Sequence, residues 1–305
     1  MPSPGQPPSL SAGHPPTLYM PAPTNIYLPD GSGRRCSSGP GRYPARWASG
    51  AALIPQTSDA LVTYVDVCVT GSLQFDVEGW GFMEYNWQTN NLDLGPDDVF
   101  PPSPSGAALP PERQLESPVI RDGRVDLFSF NCTALYASCL AGQTYFATVL
   151  DTPAALSNAA SYRVAPAATD GSTLWRPAGI AVATYPDAPL RMIEMTGIAG
   201  TYDVLTAASP AGPWHLETSA ALPGCQTLRS GFCYALVGHP ELSTPSQLVI
   251  TYYDPGAGPR GHLVGAATTY GASLIGSGSA PPQEPAPSNP QPTGPPRSQP
   301  EGLPA

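Results

Sequence analysis

Short runs of alternating apolar residues recur along this chain in groups of three, and that repeat constrains the fold more than any other feature. The first group is GAALIP (50–55), ALVTYVDVCVT (60–70) and EGWGFMEYN (78–86). The second is SPVIRDG (117–123), RVDLFSFNC (124–132) and QTYFATVL (143–150). AGIAVATY (178–185), LRMIEMTG (190–197) and TYDVLTAAS (201–209) form the third, and HPELST (239–244), QLVITYYD (247–254) and HLVGAATTY (262–270) the fourth. A further run sometimes follows, as in SYRVAP (161–166) or PWHLETS (213–219). The period of two predicts half-buried strands, and no long amphipathic helical stripe competes with it. Residues just before each first run are Arg46, Glu116, Arg176 and His239, spaced by 70, 60 and 63 positions. One group of three or four antiparallel strands cannot bury both faces of its own sheet, so its neighbours must cover it. A repeat of this size and order predicts the blades of a β-propeller, with four blades recognisable. A β-sandwich explains short strands equally well, but not the recurring order of lead-in, strand, turn and strand.

Composition decides where the folded part ends. Pro and Gly make up about a quarter of the chain, with 41 and 31 residues, close to the roughly 25–30% at which aperiodic sequences stop folding. They are unevenly spread. Residues 1–16 and 274–305 are Pro-rich with almost no core-forming side chains, and are expected to be disordered. The propeller is expected over 17–273, with a Pro-rich connection at 101–113. The net charge is −10, and all 13 basic residues are Arg. An acidic chain without a basic cluster argues against a nucleic-acid partner. No apolar run reaches the 18 residues of a membrane span.

Six cysteines form no CxxC pair, which disfavours zinc-finger and thioredoxin-type sites. Cys132/Cys139 and Cys225/Cys233 are spaced to staple a turn or loop, leaving Cys36/Cys68 as a third pair. The even count favours disulfides over six buried thiols, and with them an oxidising compartment, secreted or at the cell surface, is expected. MPSPGQPPSL lacks the basic and apolar regions of a signal peptide, so an upstream segment is expected to be missing.

The strand ending TAASPAGPW (206–214), with its SPxGPW pattern, resembles the blade ending of arabinanase- and xylosidase-like glycoside hydrolases. LESPVIRDGRVDLF (115–128) fits a blade opening in the same superfamily. The pattern ARWASGAALIP, YVDVCVTG, VEGWGFMEYNW and GHPELS followed by ITYYDPG is similar to bacterial secreted propellers of domain-of-unknown-function family 4185. The resemblance covers about residues 20–270 and implies a five-bladed type. On that reading the first blade precedes residue 44 and is missing or degenerate, since 17–43 hold one candidate strand, TNIYLPDG (24–31). The resemblance also implies an essential Asp on that absent blade. A four-bladed ring is the alternative.

Equivalent positions in a ring repeat share one radial direction, so Arg46, Glu116, Arg176 and His239 are expected to line one central cavity, with Trp47, Trp175 and Glu241 beside them. Aromatic faces and Arg/Glu forks suit a carbohydrate or cell-surface glycan. Hydrolysis of a glycosidic bond needs two carboxyl groups, for which Glu116 and Glu241 are the candidates; Asp66 and Glu78 sit inside strands and read as structural. Glu116 lies between two Arg-bearing blades and is expected to be ionised, which favours sugar binding over hydrolysis; a structural cell-surface module is the third reading. No metal site or cofactor is expected. Calcium held through channel waters stays open, but the sequence supplies no ligand set for it. A monomer is expected.

Overall fold

The structure is a computed structural model of the 305-residue chain. It describes residues 36, 43–71, 74–86, 88–89, 91–94, 98–103, 107–132, 139–185, 188–197, 200–222, 225, 233–244, 246–255 and 262–269. These all fall within one compact unit, 1–271; a second unit, 272–305, lies outside the described residues, as do the two Pro-rich termini and the candidate strand 24–31.

Four antiparallel sheets follow one another along the chain. The first comprises β1 (Tyr43–Leu53), β2 (Asp59–Gly71), β3 (Gln74–Asn86) and β4 (Asn91–Leu94). The second comprises β5 (Glu116–Arg121), β6 (Arg124–Cys132), β7 (Gly142–Leu150) and the short β8 (Ala165–Pro166). Strands β9 (Gly179–Tyr185), β10 (Ala188–Met195), β11 (Thr201–Ala207) and β12 (His215–Ala221) make the third. The fourth has three strands, β13 (Tyr234–Gly238), β14 (Gln247–Asp254) and β15 (His262–Thr269). In each sheet the strands lie in sequence order. Across sheets β1 lies against β5, β5 against β9 and β9 against β13. The first strand of each sheet is therefore innermost, and the arrangement is a four-bladed β-propeller. Helical structure among the described residues is confined to short turns at Pro111–Arg113, Pro153–Leu156 and Ala159–Ser161.

Apolar side chains hold the blades face to face. Between the first and second blades lie Leu61, Val67, Trp80, Leu115, Val125 and Leu127, among others. Phe128, Val182, Met192, Leu205 and Trp214 fill the next seam, and Ile193, Val204, Leu236, Ile250 and Tyr252 the third. The alternation read in the sequence is the cause: in β10 Met192 faces the second blade while Ile193 faces the fourth, so one strand serves two seams.

Each innermost strand runs from a mouth end to a hairpin end. Asp122 (φ 50°) and Gly123 (φ 69°) close the β5–β6 hairpin in the left-handed region, where glycine carries no Cβ penalty. All three disulfides lie at the other end. Cys132 closes β6 and bonds Cys139 ahead of β7, Cα atoms 5.6 Å apart. Cys225 follows β12 and bonds Cys233 just before β13, at 6.3 Å. Cys36 is bonded to Cys68, near the mouth end of β2, at 5.3 Å. The pairings are those expected, and they are compatible with an extracellular protein. No helix among the described residues is long and apolar enough to cross a membrane.

Two strand positions differ from the sequence reading. β1 starts at Tyr43 rather than near residue 50, so Arg46 lies inside the strand. The first strand of the fourth blade is Tyr234–Gly238, not 239–244. His239–Leu242 forms a turn instead, with Leu242 N donating to His239 O at 3.1 Å; Pro240 has no N–H with which to extend a ladder.

Candidate functional site

Glu116 opens β5 at the mouth end. The chain reaching it is clamped: the Trp80 indole N–H donates to Leu115 O, and Gln114 Nε2 donates to Leu109 O at 2.7 Å. Ser117 follows in the left-handed region at φ 50°, and the β5–β6 register shifts between Glu116 and Val119. Such a bulge re-aims a side chain at the cost of local strain. Here it turns Glu116 towards the third blade, where its carboxyl accepts a backbone hydrogen bond from Ile180, while Ser117 Oγ donates to Ile180 O at 3.2 Å. On the other side β1 comes so close that a Cβ at Gly50 would lie 2.5 Å from Ser117 N. Glu116 Oε1 is buried and has no hydrogen-bond partner among the described residues. Burial pushes the carboxyl up to about 8, against which the Ile180 N–H pulls only weakly. A carboxyl removed from water keeps its proton.

The third blade supplies the opposite wall. Arg176 lies three residues before β9, and its guanidinium Nη2 donates to Asp203 Oδ2 at 2.5 Å. The Arg176 side chain is 40% exposed and that of Asp203 only 5%. Ser219 Oγ donates to Asp203 Oδ1 at 2.5 Å. Arg176 N donates to Glu194 Oε1 at 2.7 Å. Glu194 is fully buried and stands cross-strand from both Asp203 and Ile180. Burial pushes its carboxyl up to about 8; the Arg176 N–H and guanidinium oppose this, and the Asp203 charge adds to it. Its Oε2 has no partner among the described residues. The seam thus carries two carboxyls that hold protons near neutrality and one ion pair. Neither arginine of the expected set neutralises Glu116, because each is engaged by its own acid. The ionised Glu116 expected from the sequence gives way to a protonated one.

Of the other expected site residues, Arg46 is held bidentate by Asp66, Nε–Oδ1 at 2.7 Å and Nη2–Oδ2 at 2.8 Å. Asp98 lies 3.9 Å from Nη2, and the Tyr64 ring stacks 4.0 Å from the guanidinium carbon. Tyr64 and Asp66 project from the face of β2 opposite Leu61 and Val67, so this cluster points away from the second blade and from Glu116. Burial first, and the Asp66 charge second, push Asp98 up to about 7 despite Arg46. Trp47 is exposed and stacks edge-on against Phe75 at 4.8 Å. Trp175 is a core residue beside Trp214, its indole donating to Ala167 O at 3.3 Å. His239 and Glu241 follow β13 and belong to the hairpin end, where His239 Nδ1 contacts Glu241 Oε1 at 2.9 Å. The hydrogen bond from His239 holds the Glu241 carboxyl below its ordinary value. The structure therefore brings Glu116 and Arg176 to one seam and separates His239 and Glu241 from them.

Sequence reasoning missed Glu194, Asp203 and Tyr234. Glu194 carried a signal: it is a lone carboxyl inside LRMIEM, in step with the core residue Met192. Tyr234 occupies in β13 the place Glu116 occupies in β5, since Ala235 after it is also left-handed at φ 55° and the register shifts between Tyr234 and Val237. It stacks on Tyr253 at 5.0 Å.

No group of three or more His, Cys, Asp or Glu among the described residues could hold a metal ion. A cavity of about 860 Å³, lined by Val99, Phe100, Leu109, Glu112, Arg113 and Tyr162, lies at the outer edge of the first two blades. Its lining includes none of Glu116, Arg176, Glu194 and Asp203.

No protein-family model matches the chain, and no curated protein matches it. Among solved structures it is similar to Zg3597, a family 117 glycoside hydrolase from the marine bacterium Zobellia galactanivorans, at 9% identity and a TM-score of 0.43, over 72% of this chain and 59% of that one. The chain thus spans less than two thirds of that enzyme's length. A second similar structure is a glycoside hydrolase at 13% identity and a TM-score of 0.39, covering 76% and 72%. A third is CoXyl43, a family 43 β-xylosidase/α-arabinofuranosidase from a compost metagenome, at 11% identity and a TM-score of 0.33, covering 73% and 90%.

Proposed function

We propose that the mouth end of the propeller is a carbohydrate-processing site in which Glu116 is the general acid of a glycoside hydrolase, acting outside the cell. The observation that carries this reading is the Glu116 carboxyl, buried, without a partner on Oε1 among the described residues and pushed up to about 8. A general acid must carry a proton at working pH and be able to release it in the transition state. Glycosidases use such a group to protonate the leaving oxygen. The strained Ser117 bulge aims the carboxyl, and the Ile180 N–H is placed to stabilise the carboxylate once the proton has left.

The test is turnover of a panel of oligosaccharides by the wild type and by Glu116→Gln. Loss of about 10²–10⁴ in rate, with sugar binding retained, is the expected result. Equal rates would remove Glu116 from the chemistry.

A second reading is a glycan-binding propeller without turnover. It is favoured by the engagement of the other acids, Asp66 with Arg46 and Asp203 with Arg176, which leaves neither as an unpaired base. Sugar binding without hydrolysis by the wild type would select it.

A further inference from the structure

We propose that Arg176 is a specificity residue for sugars bearing a carboxylate, so that the ligand is a uronic-acid-containing glycan rather than a neutral one; this rests on the mouth end being the sugar site. Three observations carry it. First, the Arg176 guanidinium is held at one point only among the described residues. Nη2 meets Asp203, and the other guanidinium N–H groups have no partner among the described residues, whereas Arg46 commits both Nε and Nη2 to Asp66. A guanidinium presents five donors in a planar fork matched to a carboxylate. Second, the Arg176 side chain is 40% exposed while the acid that holds it is buried, so the unused edge of the fork faces solvent. Third, Arg176 and Glu116 are tied to the same short stretch of backbone. Arg176 N is fixed by Glu194 Oε1, and four residues later Ile180 donates to Glu116. The backbone that carries Arg176 thus leads into the strand that receives Glu116, and both belong to the one seam that a sugar at the mouth would meet.

Charge balance permits a second anion there. The protons retained by Glu116 and Glu194 leave Asp203 as the carboxylate paired with Arg176 in this seam. Replacing Arg176 by Lys keeps the charge but not the fork, so the two changes separate geometry from charge.

The experiment measures calorimetric binding of tri-galacturonate and of galactotriose, then of glucuronate, mannuronate and guluronate oligomers with neutral counterparts of equal length. Wild type, Arg176→Ala and Arg176→Lys are compared, with thermal melting as a control for folding. The wild type is expected to favour at least one acidic sugar by about ten- to a hundredfold, the worth of a charge-assisted hydrogen-bond pair. Arg176→Ala should bring that preference to within about twofold, and Arg176→Lys should keep part of it. No acidic preference in the wild type across the panel, or a preference that survives in Arg176→Ala, overturns the proposal. Neutral sugars cleaved in a Glu116-dependent way without acidic preference would defeat this inference and leave the hydrolase reading standing. Acidic sugars bound through Arg176 but never cleaved would do the reverse.

Discussion

Replacing Glu116 by Gln should flatten part of the pH dependence of stability, and the size of the effect follows from the buried carboxyl. In the folded protein its pKa is about 8 against an ordinary value of 4.5. Between those pH values the folded state holds a proton that the unfolded state has released. Stability therefore falls as pH rises through this window, and levels off above about 8. At about 1.4 kcal/mol per pH unit, the group removes about 3–5 kcal/mol between pH 4.5 and 8.5. Gln has nearly the same shape and does not titrate. Urea unfolding of both proteins from pH 4.5 to 8.5 gives the comparison. The variant should match the wild type near pH 4.5 to within about 1 kcal/mol and exceed it by several kcal/mol at pH 8.5. Glu194 and Asp98 also have raised values, about 8 and about 7, so both proteins should retain a falling slope and only their difference reports Glu116. Two parallel curves would show that Glu116 ionises freely in the folded protein, and the general-acid argument would fail with them.

Arg46→Met should destabilise the protein by about 3–5 kcal/mol, since it leaves Asp66 buried without its cation, and Arg46→Met with Asp66→Leu should recover most of the loss; chemical denaturation of the two variants checks this. Removing Cys36–Cys68, with a sequence separation of 32, should cost more than removing Cys132–Cys139, with a separation of 7. In the chain-entropy view the costs are about 4 and about 2.5 kcal/mol, read as midpoints of the Cys→Ser variants.

The blades were legible because their strands are short, rich in apolar residues and repeated in order: β14 alternates buried and partly exposed residues over its whole length, and β2 and β10 are buried on both faces. The first strand of the fourth blade was not legible. Of Tyr234, Ala235, Leu236, Val237 and Gly238 only Leu236 is buried, so the strand carries little pattern, and the apparent run after it is a turn built on Pro240. At the site, Glu116 could be picked by its place in the repeat, but its charge state could not. That depended on which acid claims each arginine: Asp66 reaches Arg46 from the neighbouring strand 20 positions away, and Asp203 reaches Arg176 from β11, 27 positions away. Trp175 shows the same limit: an aromatic beside an arginine reads as a sugar platform until tertiary packing places it beside Trp214.

The two ends of the propeller are secured by different chemistry. At the hairpin end the turn between β5 and β6 holds itself with a left-handed pair and the ladder it closes. At the mouth end three disulfides tie Cys68 of β2, Cys132 of β6 and Cys233 before β13 to their neighbours. A reductant would thus act regionally. Most of the apolar packing between blades involves no sulfur bond, while the mouth ends of β2 and β6 and the chain entering β13 would gain conformational freedom. Redox conditions during expression accordingly set how firmly the mouth end is tied, and a well-folded far-ultraviolet spectrum alone would not reveal the difference.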